Sequence, residues 1–114
     1  MSPPKLHLIA DTEQKAIGLV ESEKTAVLMS IFKPEYTWLA TGCKYGFKEK
    51  MLDPIRDFKI VAFPDKGEFI DWKNTARTLN SMGFNIVVDK WVEENDFQDG
   101  TDLADIFLSF IHQN

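Results

Sequence analysis

Four carboxylates stand where short apolar runs end. Glu21 follows Ile17-Gly18-Leu19-Val20, Asp65 and Glu68 follow Phe58-Lys59-Ile60-Val61-Ala62-Phe63, and Asp89 follows Phe84-Asn85-Ile86-Val87-Val88. Carboxylates brought together raise one another's pKa, and a hard divalent cation is the usual means of neutralising them. Mg²⁺ or Mn²⁺ takes one or two carboxylates together with waters and substrate phosphates, and such a site polarises a phosphoryl oxygen and orients an in-line displacement. Oxygen ligands suit this work; thiolates and imidazoles do not. The same residues have a second reading. Acids are common at strand ends and helix N-termini, where they cap backbone N–H groups and face the positive end of the helix dipole. From pattern alone both readings stand.

Elements that would position these groups follow from periodicity. Residues 16–20 read as a buried strand, and Ser22 is a suitable N-cap for a helix over 23–32 with Val27, Leu28 and Ile31 on one face. Lys33-Pro34 ends that helix, because the residue before a proline avoids the helical region. A second strand is expected over 36–40, one or two helical turns from Lys48 to Leu52, and a third strand over 58–63. Pro64-Asp65-Lys66-Gly67 is a turn. Phe69, Trp72, Ala76 and Leu79 then mark the core face of a helix over 68–82, with Gly83 as its left-handed C′ residue. A fourth strand over 84–88 precedes an acidic loop, with an edge strand expected near Trp91-Val92. A last helix, capped by Thr101 or Asp102, turns Leu103, Ile106, Phe107 and Phe110 inward. Apolar strands alternating with helices predict a three-layer α/β/α domain with a mainly parallel four-stranded sheet. Right-handed crossovers would place every strand's carboxyl end, and so Glu21, Asp65 and Asp89, on one edge.

Other side chains bear on that edge. Thr41-Gly42-Cys43-Lys44-Tyr45-Gly46 is a glycine-bearing loop, with Lys48, Lys50 and Arg56 soon after. It reads either as a phosphate-contacting rim, with Lys44 and Lys48 as point charges, or as an ordinary turn leading into a solvated helix face. Lys66 lies beside Asp65; its ammonium offers a further phosphate contact and lowers the demand for a cation. Cys43 lacks a neighbouring histidine to activate it, since His7 and His112 are terminal. Trp38 and Trp72 fall on core faces.

The strand ending at Glu21 and the helix after it resemble the first motif of the Toprim family, with Ser22 where a glycine is common. The strand before Asp65 resembles the one that leads into the family's second motif, Asp-x-Asp. Here the chain departs: if Asp65 is the first acid, Gly67 holds the second position, and Glu68 is the nearest substitute. The resemblance spans about Ile17 to Phe110. It implies a nucleic-acid-processing domain of a primase-like protein of mobile elements, with DNA a better expected partner than RNA. Glu21 would be general acid or base or a metal ligand, Asp65 the main Mg²⁺ (or Mn²⁺) ligand, and Asp89 or Glu68 would assist. The alternative is a module of the same fold that has lost its chemistry and binds nucleic acid, nucleotide or a partner protein. Asp102 and Asp105 resemble acids that follow the last strand in many Toprim domains, though Asp102 reads first as a helix cap.

Length and composition set outer limits. A chain of 114 residues is one domain by size, with 16–114 as the folded unit. Residues 1–15 read as a lead-in, the expected end of an upstream helix in a longer parent protein. One cysteine excludes a disulfide framework and a cysteine zinc site, which fits a reducing cytoplasm. No apolar run is long enough to cross a membrane. Net charge is −5, and residues 89–114 carry seven acids against one base, Lys90. That balance argues against duplex binding by bulk electrostatics.

Overall fold

The computed structural model describes residues 16–42 and 47–112; the expected lead-in over 1–15 and the loop residues Cys43 and Lys44 lie outside them. The order is β1 (Ile17–Val20), α1 (Glu23–Phe32), β2 (Thr37–Ala40), α2 (Glu49–Leu52), β3 (Lys59–Ala62), α3 (Phe69–Ser81), β4 (Asn85–Val88), α4 (Trp91–Glu94) and α5 (Leu103–His112). Helix α2 ends at Leu52, as its sequence implies, and a separate 3₁₀ turn over Asp53–Ile55 follows, with Pro54 in its first positions, where the missing N–H costs nothing. All strands are parallel, in the order β2-β1-β3-β4. No helix among the described residues is long and apolar enough to cross a membrane.

Two cores follow from the strand alternation. Val20, Trp38, Val61 and Phe63 meet Met29, Leu103, Ile106 and Phe107 of α1 and α5 on one side. Ile17, Leu19, Ile60, Ala62 and Ile86 meet Leu52, Trp72, Ala76 and Leu79 of α2 and α3 on the other. The result is the expected three-layer arrangement. Gly18 is required at its place: a Cβ there would stand 2.5 Å from Cε3 of Trp38, whose ring packs against those of Tyr36 and Phe63.

Two expectations need correction. Helix α1 turns Thr25 and Met29 to the core, with Ala26 and Phe32 beside them, and leaves Val27 and Ile31 in solvent. Two contacts set this rotation. Thr25 Oγ1 donates to Asp102 Oδ2 at 3.0 Å, and Phe32 stacks on Phe107. The expected edge strand near Trp91-Val92 is the short helix α4. Asp89 Oδ2 accepts from Trp91 N and starts it. The outer edge of β4 is already filled, because the Asn80 amide donates to Ile86 O and accepts from Ile86 N. An edge satisfied by a side chain offers no ladder to a further strand.

Candidate metal centre

The reversal of strand order between β1 and β3 opens a crevice at the carboxyl edge, where α/β sheets bind ligands. Glu21 and Asp65 flank it. The ladder runs on past the strand ends: Phe63 N donates to Leu19 O at 2.8 Å, and Thr41 N donates to Val20 O at 2.9 Å. Gly42 N donates to Glu21 O at 2.9 Å, so the backbone of Glu21 is held by the end of β2. Ser22 caps α1 by accepting from Thr25 N, as its sequence position implies.

Asp65 and Glu68 are brought side by side by a tight turn. Glu68 N donates to Asp65 O at 3.0 Å, and Gly67 at the third position has φ of 100°. That is the signature of a type II turn, which needs a residue free to adopt positive φ. The turn is strapped from outside. Lys66 N donates to Thr101 O, Gly100 N donates to Lys66 O, and Gly67 N donates to Glu93 Oε1.

Oxygen atoms of Glu21, Asp65 and Glu68 lie within 4.8 Å of one another. Oε1 of Glu21 is buried without a hydrogen-bond partner among the described residues, and the side chain of Glu68 makes no capping bond to α3. Burial pushes the Asp65 carboxyl up to about 7, helped by the charges of Asp102, Glu21, Glu68 and Asp105 in that order. Asp65 is therefore protonated for part of the time near neutrality unless a cation replaces the proton. Three carboxylates, one with a buried oxygen that lacks a partner among the described residues, fit a hard divalent ion, and the donor set excludes a preference for soft metals.

The remaining expected site residues are placed elsewhere. Gly67 does not face the trio: a Cβ there would point to Asp99, 3.6 Å from its Oδ1. The third carboxylate is Glu68, so the motif here is Asp-x-x-Glu and the Asp-x-Asp register is set aside. Asp89 is buried at the end of β4, caps α4, and with Glu35 adds to the burial that pushes the Tyr36 phenol up to about 12. It is not part of the trio. Lys66 turns its ammonium outward onto Glu93 O and Asn95 O, at 2.6 and 2.7 Å, and so is engaged away from the carboxylates. Lys48 is an exposed residue at the start of α2, and Lys44 lies outside the described residues. Asp102 and Asp105 form a reciprocal capping box for α5, each accepting from the other's backbone N–H.

One family model, described as Domain of unknown function (DUF6371), matches residues 6–66. Those residues make up just over half of the chain and include Glu21 and Asp65, with Glu68 just beyond. No curated protein and no solved structure matches the chain.

Proposed function

We propose that this chain, which belongs to the DUF6371 family, is a Toprim-like nucleic-acid-processing domain that uses a divalent cation, part of a primase-like cytoplasmic protein. The observation that carries this reading is the convergence of Glu21, Asp65 and Glu68 at the strand-order reversal. Asp65 and Glu68 would hold Mg²⁺ or Mn²⁺, with Glu21 opposite them. Such an ion supplies charge neutralisation and polarisation to a phosphoryl group. Glu21, with its unsatisfied buried oxygen, is the residue suited to accept a proton from an attacking hydroxyl. The turn and its straps hold Asp65 and Glu68 rigidly, so that little reorganisation accompanies binding.

A specific observation favours a second reading, a cation-binding module without turnover. Lys66 is engaged with the carbonyls of Glu93 and Asn95, which removes the lysine that follows Asp65 from phosphate binding. One experiment separates the two. Amide shifts are followed during Mn²⁺-free Mg²⁺ titration, and cleavage or primer synthesis is assayed on single-stranded DNA with the same protein. Both readings require shifts at Glu21, Asp65 and Glu68 that Glu68→Gln weakens. Turnover lost in Glu21→Gln supports the enzyme, and shifts without turnover support the module. No shift at these residues up to ~20 mM Mg²⁺, beyond the weakest sites such ligands form, rejects both.

A further inference from the structure

Helix α1 has two apolar faces. Thr25, Ala26, Met29 and Phe32 face the core. Lys24, Val27, Leu28 and Ile31 recur at helical spacing on the other side, and Val27 and Ile31 are 61% and 70% exposed. A helix apolar on both sides is ordinarily covered on both. The second face also has a charge pattern that is complementary to itself. Lys24 stands at one end, and Glu35, exposed, lies in the turn beyond the other. The last turn of α1 contains no basic residue, so its carbonyl end is uncompensated within the helix.

We propose that this face is where a second copy of the chain docks, with the two α1 helices antiparallel about a two-fold axis. In that arrangement Leu28 meets the other copy's Ile31, Val27 covers its own share of the seam, and each Lys24 reaches the other copy's Glu35 and helix C-terminus. An isologous pairing requires this kind of self-complementarity. Helix α1 has ten residues, so the contact is small, at the low end of stable interfaces, and the dimer is a weak one with a micromolar dissociation constant. Because Glu21 lies at the N-terminal end of α1, the two carboxylate trios would stand at opposite ends of the seam. The dimer therefore does not rest on the metal reading.

Charge reversal tests the proposal on the full chain. Sedimentation equilibrium over roughly 1–300 µM, where small interfaces dissociate, should give a monomer–dimer equilibrium for the wild type. Ile31→Glu should abolish it while leaving the circular dichroism spectrum unchanged, as Ile31 is exposed. Lys24→Glu and Glu35→Lys should each weaken the dimer by at least about tenfold, because the two-fold axis makes both charge contacts repulsive in either homodimer. An equimolar mixture of these two single variants should form a heterodimer more readily than either forms a homodimer, since both of its charge contacts are then attractive. A wild type that stays monomeric throughout, or single variants that dimerise as the wild type does, would overturn the proposal. So would a mixture that shows no preference for the heterodimer, because the two charges then lie off the seam; single variants no weaker than the wild type, with the heterodimer still preferred, would mean a parallel seam.

Discussion

Asp65 decides how the trio responds to pH. Its carboxyl is pushed up to about 7, against 3.8 ordinarily, by burial first and then by the acids around it. Between those two values the folded chain binds more protons at this site than the unfolded chain does. Stability contributed here is therefore present at low pH and falls as pH rises toward about 7. The expected measurement is a melting series in EDTA. Wild type should lose melting temperature from pH 5 to about 7.5 relative to Asp65→Asn, which has no carboxylate to ionise. Parallel curves for the two proteins would show that Asp65 ionises normally. Proton and cation compete for the same oxygens, so Mn²⁺ affinity by calorimetry should weaken by up to about tenfold per pH unit below 7 and level off above it. Binding that is flat across that range would exclude Asp65 as a ligand.

At the scale of elements, the turn between β3 and α3 determines which acids meet. Gly67 has φ of 100° and its Cβ direction leads to Asp99. Gly67→Asp should thus destabilise the chain by about 1–3 kcal/mol through backbone strain and added repulsion. Mg²⁺ should not reverse that loss, and a metal-dependent recovery in melting temperature would restore the Asp-x-Asp register. Gly18→Ala should cost a similar ~1–3 kcal/mol by overpacking against Trp38, without altering metal affinity. Urea unfolding with and without Mn²⁺ separates the two effects. The sequence makes much of this architecture legible. Apolar strand runs, the proline after Lys33, Ser22 as N-cap and Gly83 as a left-handed C′ residue all carry local signals, and Gly83 has φ of 101°. Three features are not local. The rotation of α1 depends on Asp102 and Phe107, 77 and 75 positions on from Thr25 and Phe32. The helix at Trp91 depends on Asn80 having closed the sheet edge. The choice of Glu68 over position 67 depends on a turn whose third residue has positive φ, and an acid two positions from Asp65 would have looked equally suitable in one dimension.

Charge is distributed over the whole molecule so that the carboxyl edge is negative. Of the net charge of −5, residues 89–114 contribute −6 and the rest of the chain +1, and the fold wraps several of these acids around the turn at Asp65. Glu93 accepts from Gly67 N, Asp99 lies beside Gly67, and Asp102 and Asp105 both act on the Asp65 carboxyl. Two cations among the described residues are committed elsewhere. Lys66 is held by backbone carbonyls, and Arg56 pairs with Glu49 and Asp53 while its guanidinium lies 4.3 Å from the Phe84 ring centroid. A polyanion approaching this edge meets repulsion, which is strongest at low ionic strength, where the Debye length is long. A protein that grips nucleic acid through lysine and arginine behaves in the opposite way, binding best at low salt. Fluorescence anisotropy with a labelled single-stranded oligonucleotide distinguishes them. In EDTA at ~20 mM salt, where a screening length of roughly 20 Å leaves surface charges active, no binding is expected. Addition of Mn²⁺ should permit binding, and Asp65→Asn with Glu68→Gln should remove most of that metal-dependent gain. Tight binding in EDTA that weakens steeply with salt would mean that a basic surface outside the carboxyl edge makes the contact, and the trio would then have no part in recognition.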